Sequence, residues 1–193
     1  MRSSASTLLL AAAAPVFVAA VCPDPVPQIS SLSWSGSGCP STSASSVKNY
    51  GPMEFGEVKT FTFNQLDSDN TENCEIHLQA AQAPSGWQVA VRDVAYSGDV
   101  MLKPNSQLDY FTQVYWSEKA DDTGIAKGTI TNADTDVYNR AVTIRSTVPE
   151  KWSKCISGSG PGILNVNFRP VINGDAGRFS FKNATWHLDW RKC

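Results

Sequence analysis

Residues 74–80 read CEIHLQA, and polar and apolar side chains alternate through this stretch. Because an extended chain directs successive side chains to opposite faces, Cys74, Ile76 and Leu78 would share one face and His77 would lie on the other. This period of two is typical of a strand that buries one face and exposes the other to water. The stretch therefore predicts a half-buried β-strand.

The same alternation recurs along most of the remaining chain. Phe61 and Phe63 alternate with threonines, and Trp87, Val89 and Val91 share a face. Further candidate strands are DVMLK, LDYFTQVYW, GIAKGTIT, RAVTIRSTV, GILNVNFRPVI, RFSFKN and ATWHLDWR. No long stretch has helical periodicity, and only SEKAD at 117–121 is suited to a single helical turn.

Turn-forming residues separate these candidate strands. They are PSG at 84–86, SGD at 97–99, KPNS at 103–106, DDTG at 121–124, NADTD at 132–136 and NGDAG at 173–177. About eight to ten strands joined by such turns predict an all-β fold, namely a two-sheet antiparallel β-sandwich. A jelly roll or a Greek-key barrel is the alternative.

The first 20 residues have the pattern of a secretory signal peptide. A short basic start is followed by the apolar run TLLLAAAAPVFVA and by small residues at Val18 and Ala20. The run falls short of the length of about 18 apolar residues that a membrane-spanning helix needs. We therefore expect a secreted, extracellular protein. Its predicted parts are a signal peptide at 1–20, a leader rich in Pro, Ser and Gly at 21–56, tied to the body through Cys39, and a β-sandwich domain at 57–193.

The charge balance excludes two classes of partner. The chain has 16 basic and 18 acidic residues, a net charge of −2, and no basic stretch. Proteins that bind nucleic acid or anionic membranes through electrostatics need a basic patch. We therefore expect neither nucleic acid nor membrane as a partner.

The five cysteines favour disulfides in an oxidising compartment. Cys22 lies close to the predicted cleavage site, and it is the best candidate for the unpaired cysteine. The remaining four allow three pairings, and their spacing does not choose among them. A metal site is a poor alternative, because the chain has no C-x-x-C pair and only two histidines.

The two histidines are expected on solvated outer faces of strands. His187 falls on one face with Asp189 and Arg191, which leaves a His–Asp surface pair as an alternative. The chain has no G-x-S-x-G or H-E-x-x-H motif. A Ser–His–Asp arrangement stays open, because such a site is built in space and not in sequence. We therefore expect no catalytic residue.

The acidic residues fall mostly in predicted turns, where their side chains bond the local backbone. Those that could pair in a glycosidase are Asp67, Asp69, Glu72, Glu75, Asp121, Asp122, Asp134 and Asp136. The stretch DSDNTEN at 67–73 has the oxygen density of a calcium loop. It lacks the glycine at the sixth position, and the twelfth residue is Leu78 instead of glutamate. We therefore expect no metal and no cofactor.

Aromatic residues are the better functional signal. Trp87, Trp186 and Trp190 share faces with apolar neighbours and are expected in the core. Candidates for ligand contact are Tyr96, Tyr115, Trp116, Tyr138 and Trp152. Exposed aromatic rings among polar residues can stack on sugars, and the alternative is that a small sandwich needs these rings to fill its core. Asn183-Ala184-Thr185 is a candidate glycosylation site.

Several motifs together resemble a known family. They are GSGCP, NCEIHL, PSGWQVAVRDVAYSGDVML, KWSKC and WHLDWRKC. They resemble the fungal secreted-protein family catalogued as domain of unknown function 4360, over roughly residues 36–193. The resemblance implies small, secreted, disulfide-bonded proteins without an established activity, and Cys22 departs from the pattern. For the four matched cysteines we infer pairing in order along the chain, Cys39 with Cys74 and Cys155 with Cys193.

Taken together, we expect a non-enzymatic, effector-like secreted fungal protein, a monomer, that acts at the cell wall or at a host or neighbour surface. Its partner would be wall polysaccharide or a surface protein. One alternative is a carbohydrate-binding module, which needs exposed aromatic rings on one sheet face or among loops. A second alternative is a small secreted hydrolase, which needs a histidine and two carboxylates in one cleft.

Overall fold

The computed structural model describes residues 22–39, 48–50, 53–158 and 160–193. The strands are β1 (Gln28–Ser35), β2 (Lys48–Tyr50), β3 (Val58–Ser68), β4 (Cys74–Ala81), β5 (Trp87–Leu102), β6 (Ser106–Trp116), β7 (Gly124–Asn132), β8 (Tyr138–Thr147), β9 (Ile163–Asn173) and β10 (Gly177–Lys192). One 3₁₀ turn, Ser117–Lys119, follows β6 where a helical turn was predicted. Among the described residues, no helix is long and apolar enough to cross a membrane.

The strands form two antiparallel sheets of five. Sheet A has the order β1-β4-β9-β6-β7, and sheet B has the order β2-β3-β10-β5-β8. The middle strand of sheet A is β9, and the middle strand of sheet B is β10. The predicted all-β, two-sheet antiparallel sandwich is confirmed.

The core lies between the inner faces of the two sheets. In β4 the alternating side chains Cys74, Ile76 and Leu78 are all buried, as their period of two predicts. Across the sandwich, Phe168 of sheet A stacks on Tyr96 of sheet B, with 3.6 Å between ring centroids. These contacts join the two sheets through one continuous apolar cluster.

Two disulfides fasten peripheral segments to the sandwich. Cys39, just after β1, is bonded to Cys74 at the start of β4. Cys155, in the segment after β8, is bonded to Cys193 next to β10. These are the two pairs inferred from the order of the cysteines. Cys22 forms no disulfide within the described residues, and burial, together with Glu57 and Glu54, raises its thiol pKa.

The segment predicted as a leader contributes a strand to sheet A. β1 (Gln28–Ser35) pairs with β4, and Trp34 lies opposite Ile76. Leu32 and Trp34 pack against the core, so residues well before 57 are part of the β-sandwich. The predicted signal peptide at 1–20 lies outside the described residues.

One predicted turn is wrong. SGD at 97–99 lies in the middle of β5 instead of ending a strand. Gly98 pairs with Phe181 beside an irregularity in β10, and a Cβ at this position would come within 2.2 Å of the carbonyl oxygen of Ser180. Because Gly98 has no side chain, the two backbones can approach this closely, and the strand continues through residue 98.

Candidate functional site

The outer face of sheet A, called the A face below, brings polar and apolar side chains from four strands into register. Side chains that point away from the core form three cross-strand rows. The rows are His77, Asn165 and Tyr115; Glu75, Asn167, Gln113 and Ile125; and Arg169, Phe111 and Lys127. Since neighbouring strands lie about 4.8 Å apart, members of one row are close enough to act on one ligand.

A shallow groove of about 260 Å³ lies across the last two rows. Its lining residues are Phe111, Gln113, Ile125, Lys127, Asn167 and Arg169, and we call this depression the A groove. Ile125 is 45% exposed, and the Lys127 ammonium lies 5.9 Å from the centre of the Phe111 ring. The A groove thus combines an aromatic ring, two carboxamides and two cations.

One wall of the A groove holds an unsatisfied acceptor. The carboxamide oxygen of Asn167 is buried and has no hydrogen-bond partner. Leaving such a group without a donor costs about 1–3 kcal/mol. A ligand hydroxyl could donate to this oxygen only after the carboxamide rotated toward the groove.

Beside the A groove, three side chains form a hydrogen-bonded line. His77 Nδ1 lies 2.6 Å from Asn165 Oδ1, and His77 Nε2 lies 3.0 Å from Ser35 Oγ. The Asn165 amide group donates to Ser117 Oγ at 2.8 Å, so its oxygen faces the imidazole. His77 Nδ1 is therefore the donor to Asn165, and Nε2 is left to accept a hydrogen bond from the Ser35 hydroxyl.

Asn165 is only 2% exposed although it lies on the A face, because the 3₁₀ turn after β6 covers it and supplies Ser117. A second, part-buried contact adjoins Asn165. Tyr115 donates its hydroxyl to Glu75 Oε1 at 2.5 Å. Burial, this hydrogen bond and the Glu75 charge raise the pKa of Tyr115 to about 12, so the phenol stays a donor throughout the physiological range.

The predicted ligand-contact aromatics do not come together. The prediction is wrong for Tyr96 and Trp116, which are 1% and 2% exposed and belong to the core. The Trp116 indole donates to the backbone oxygen of Lys151 at 2.8 Å, which satisfies its polar atom inside the protein. Tyr115 alone of the five lies on the A face.

Tyr138 and Trp152 are partly exposed but lie away from the A face. Tyr138 begins β8 in sheet B, with the Arg140 guanidinium 5.5 Å from its ring. The Trp152 ring lies 3.8 Å from the Arg191 guanidinium. Each of these two rings is partly covered by an arginine of sheet B.

His187 has a different partner from the one its sequence spacing indicates. Its Nδ1 lies 2.5 Å from Asp93 Oδ1, on the neighbouring strand, while Asp189 is bound by Arg92 at 3.0 Å. Burial raises the pKa of Asp93, but hydrogen bonds from His187 and Arg92 outweigh it and leave the pKa below its ordinary value. The cluster is a network of paired charges on sheet B. Among the described side chains no group of three or more potential metal ligands occurs.

Sequence reasoning missed Phe111, Asn165, Asn167 and Arg169. The available signal was the alternation of polar residues in NVNFR, which places both asparagines and the arginine on one side of β9. The polar character of this stretch is visible in the sequence. Its proximity to Phe111 depends on the pairing of β6 with β9.

The fold and the A face define a disulfide-linked β-sandwich with a polar outer sheet face that carries a shallow groove. The profile of the family described as Domain of unknown function (DUF4360) matches residues 26–193, and the chain belongs to that family. No curated protein matches the chain. A solved structure of TmCBM61 in complex with beta-1,4-galactotriose is similar over 86% of this chain and 91% of that chain, at 10% identity and a TM-score of 0.29. So distant a likeness carries no argument about function.

Proposed function

We propose that the protein is a secreted, non-catalytic binding protein of an extracellular surface, and that its ligand is a saccharide chain held in the A groove. The observation that carries this proposal is the composition of the groove. Phe111 offers an apolar ring surface, and Gln113 and Asn167 offer amide donors and acceptors beside it. Sugars have the matching features, since their C–H faces are apolar and their edges carry hydroxyl groups.

The shape of the site supports a chain-like ligand. The A groove is shallow and spans β9, β6 and β7 instead of entering the core. A polymer segment can lie across such a face, whereas a small ligand usually needs a deeper cavity that buries most of its surface. Wall polysaccharide therefore fits this face better than an isolated metabolite.

Secretion is supported by the pattern of residues 1–20 and by the two disulfides, since disulfides persist in oxidising compartments. Asn183, the candidate glycosylation site, is exposed on sheet B, and its side-chain oxygen accepts a hydrogen bond from Thr62. A glycan there would lie on the sheet opposite the A groove. A glycopeptide covering 183–185 in secreted material would show it.

Phe111→Ala is expected to weaken binding to the recognised polysaccharide by roughly tenfold or more, as truncation of a central aromatic contact does. Retention on chitin, β-glucan, cellulose and pectic polysaccharide measures it. Val58→Ala is the matched control, because Val58 is an exposed apolar residue (54%) on sheet B. Failure of the unchanged protein to bind any polysaccharide would count against the proposal, as would equal loss in the two variants.

A second candidate function, a small secreted hydrolase, is favoured by the line of Ser35, His77 and Asn165. In this role His77 Nε2 would take the proton of Ser35 as its oxygen attacks an ester carbonyl. The imidazolium would return that proton to the departing alcohol, and water would then release the acid and regenerate the serine. Asn165 would hold the imidazole in the tautomer this chemistry needs.

A fluorophosphonate probe tests this second function, because it labels only activated serines. The hydrolase proposal expects labelling at Ser35 that disappears in Ser35→Ala and slows by at least about 100-fold in His77→Gln. Ser33→Ala is the control, since Ser33 lies on the same strand opposite His77. An unlabelled native protein that still binds polysaccharide would remove the hydrolase and leave the binding function.

A further inference from the structure

We propose that the saccharide recognised by the A groove is acidic, with carboxylate groups of uronic acid units bound by Arg169 and Lys127. This inference rests on the proposed function and assigns the ligand class of the same site. Arg169 and Lys127 are the cross-strand neighbours of Phe111 on its two sides. A sugar ring stacked on Phe111 would therefore lie between two cations.

Neither cation is neutralised within the described part of the chain. Arg169 and Lys127 form no ion pair there, and the Lys127 ammonium instead faces the Phe111 ring. The cations of sheet B differ from them. Four of these are paired with aspartates on their own sheet, namely Arg92, Arg145, Arg178 and Lys182. The A groove thus keeps positive charge available, whereas these four cations of sheet B are neutralised by aspartates.

The acids nearest to the A groove are held by neutral donors. Asp109, two residues before Phe111 on β6, accepts hydrogen bonds from Thr129, Gln107 and Asn173 at 2.5–3.0 Å. Glu75, on the other side of the groove, accepts the Tyr115 hydroxyl. These donors stabilise both carboxylates without using Arg169 or Lys127.

The chemistry of the two cations suits a carboxylate on a sugar. A guanidinium can donate two parallel hydrogen bonds to one carboxylate, and an ammonium provides a compact charge with three donors. The Phe111 ring is then available to stack on the face of the sugar ring. The amides of Gln113 and Asn167 are available to hydrogen-bond its hydroxyl groups. Each feature of the groove then has a matching group on a polyuronate.

Calorimetric titration with two oligosaccharides of equal length, an oligogalacturonate and its carboxyl-reduced neutral counterpart, tests the inference. The unchanged protein should bind the acidic form roughly tenfold or more tightly, and added salt should reduce the difference. Arg169→Gln and Lys127→Gln should each remove much of the preference. Lys182→Gln, which breaks the pair with Asp99 on sheet B, is the control and should leave the preference unchanged.

The outcomes separate this inference from the proposed function. Equal binding of the two forms, lost in Phe111→Ala, would overturn the acidic ligand and leave saccharide binding in place. Binding of neither form, nor of any other polysaccharide, would overturn both. A sulfated oligosaccharide that bound more tightly than the uronate would overturn the carboxylate assignment. A preference that survived Arg169→Gln and Lys127→Gln would overturn the assignment to these residues.

Discussion

Replacing Phe168 with alanine is expected to lower the free energy of unfolding by about 4 kcal/mol. Phe168 is 1% exposed and lies on β9, the middle strand of sheet A. Its ring stacks on Tyr96 and meets Phe181 edge-on at 5.1 Å, and both partners belong to sheet B. The substitution would leave a cavity where the two sheets meet.

Urea denaturation followed by tryptophan fluorescence measures this loss. The matched control is Phe111→Ala, because Phe111 lies on the adjacent strand but points outward into the A groove. We expect the control to cost less than about 1.5 kcal/mol, since little apolar area leaves the core. Equal losses in the two variants would show that the side-chain directions assigned to β6 and β9 are wrong.

Removing the Cys155–Cys193 disulfide by a double substitution to alanine is expected to cost about 3–4 kcal/mol, because a 38-residue separation is released in the unfolded chain. The bond also anchors the segment after β8. That segment is hydrogen-bonded to β5 through Ser153 and Ile156, with Val89 and Trp87 as acceptors at 2.9 Å.

The urea midpoint of the double variant, compared with that of the unchanged protein, measures this effect. Cys22→Ala is the control, because Cys22 forms no disulfide in the described chain. We expect the control to shift the midpoint little. A double variant as stable as the control would show that the hydrogen bonds to β5 hold the segment without the covalent link.

Much of the fold could be predicted from sequence because alternation is a local property. CEIHLQA buries Cys74, Ile76 and Leu78, as its period of two indicates, and Trp87, Trp186 and Trp190 are buried as expected. The strand β1 was harder to recognise. Serines dominate it, and the pairing register shifts between Ile29 and Ser31, which interrupts the alternation.

The candidate site was less predictable because aromatic residues occur on both faces of β6. The stretch LDYFTQVYW has rings at neighbouring positions, including Phe111, Tyr115 and Trp116. Tyrosine and tryptophan suit either side of a sheet, since each has an apolar body and a polar atom. The pairing with β9 decides which ring faces the groove, and that pairing joins residues far apart in the sequence.

The strand orders have a consequence for synthesis of the chain. The middle strands of both sheets, β9 and β10, are made after the other eight described strands. Until they emerge, β4 and β6 lack their shared neighbour, and so do β3 and β5. Neither sheet can close before these two strands emerge, and until then four strands present unpaired edges of the kind that promote aggregation. Closure of the sandwich therefore waits for β9 and β10, and a chaperone that shields exposed strand edges would act on the chain before these strands emerge.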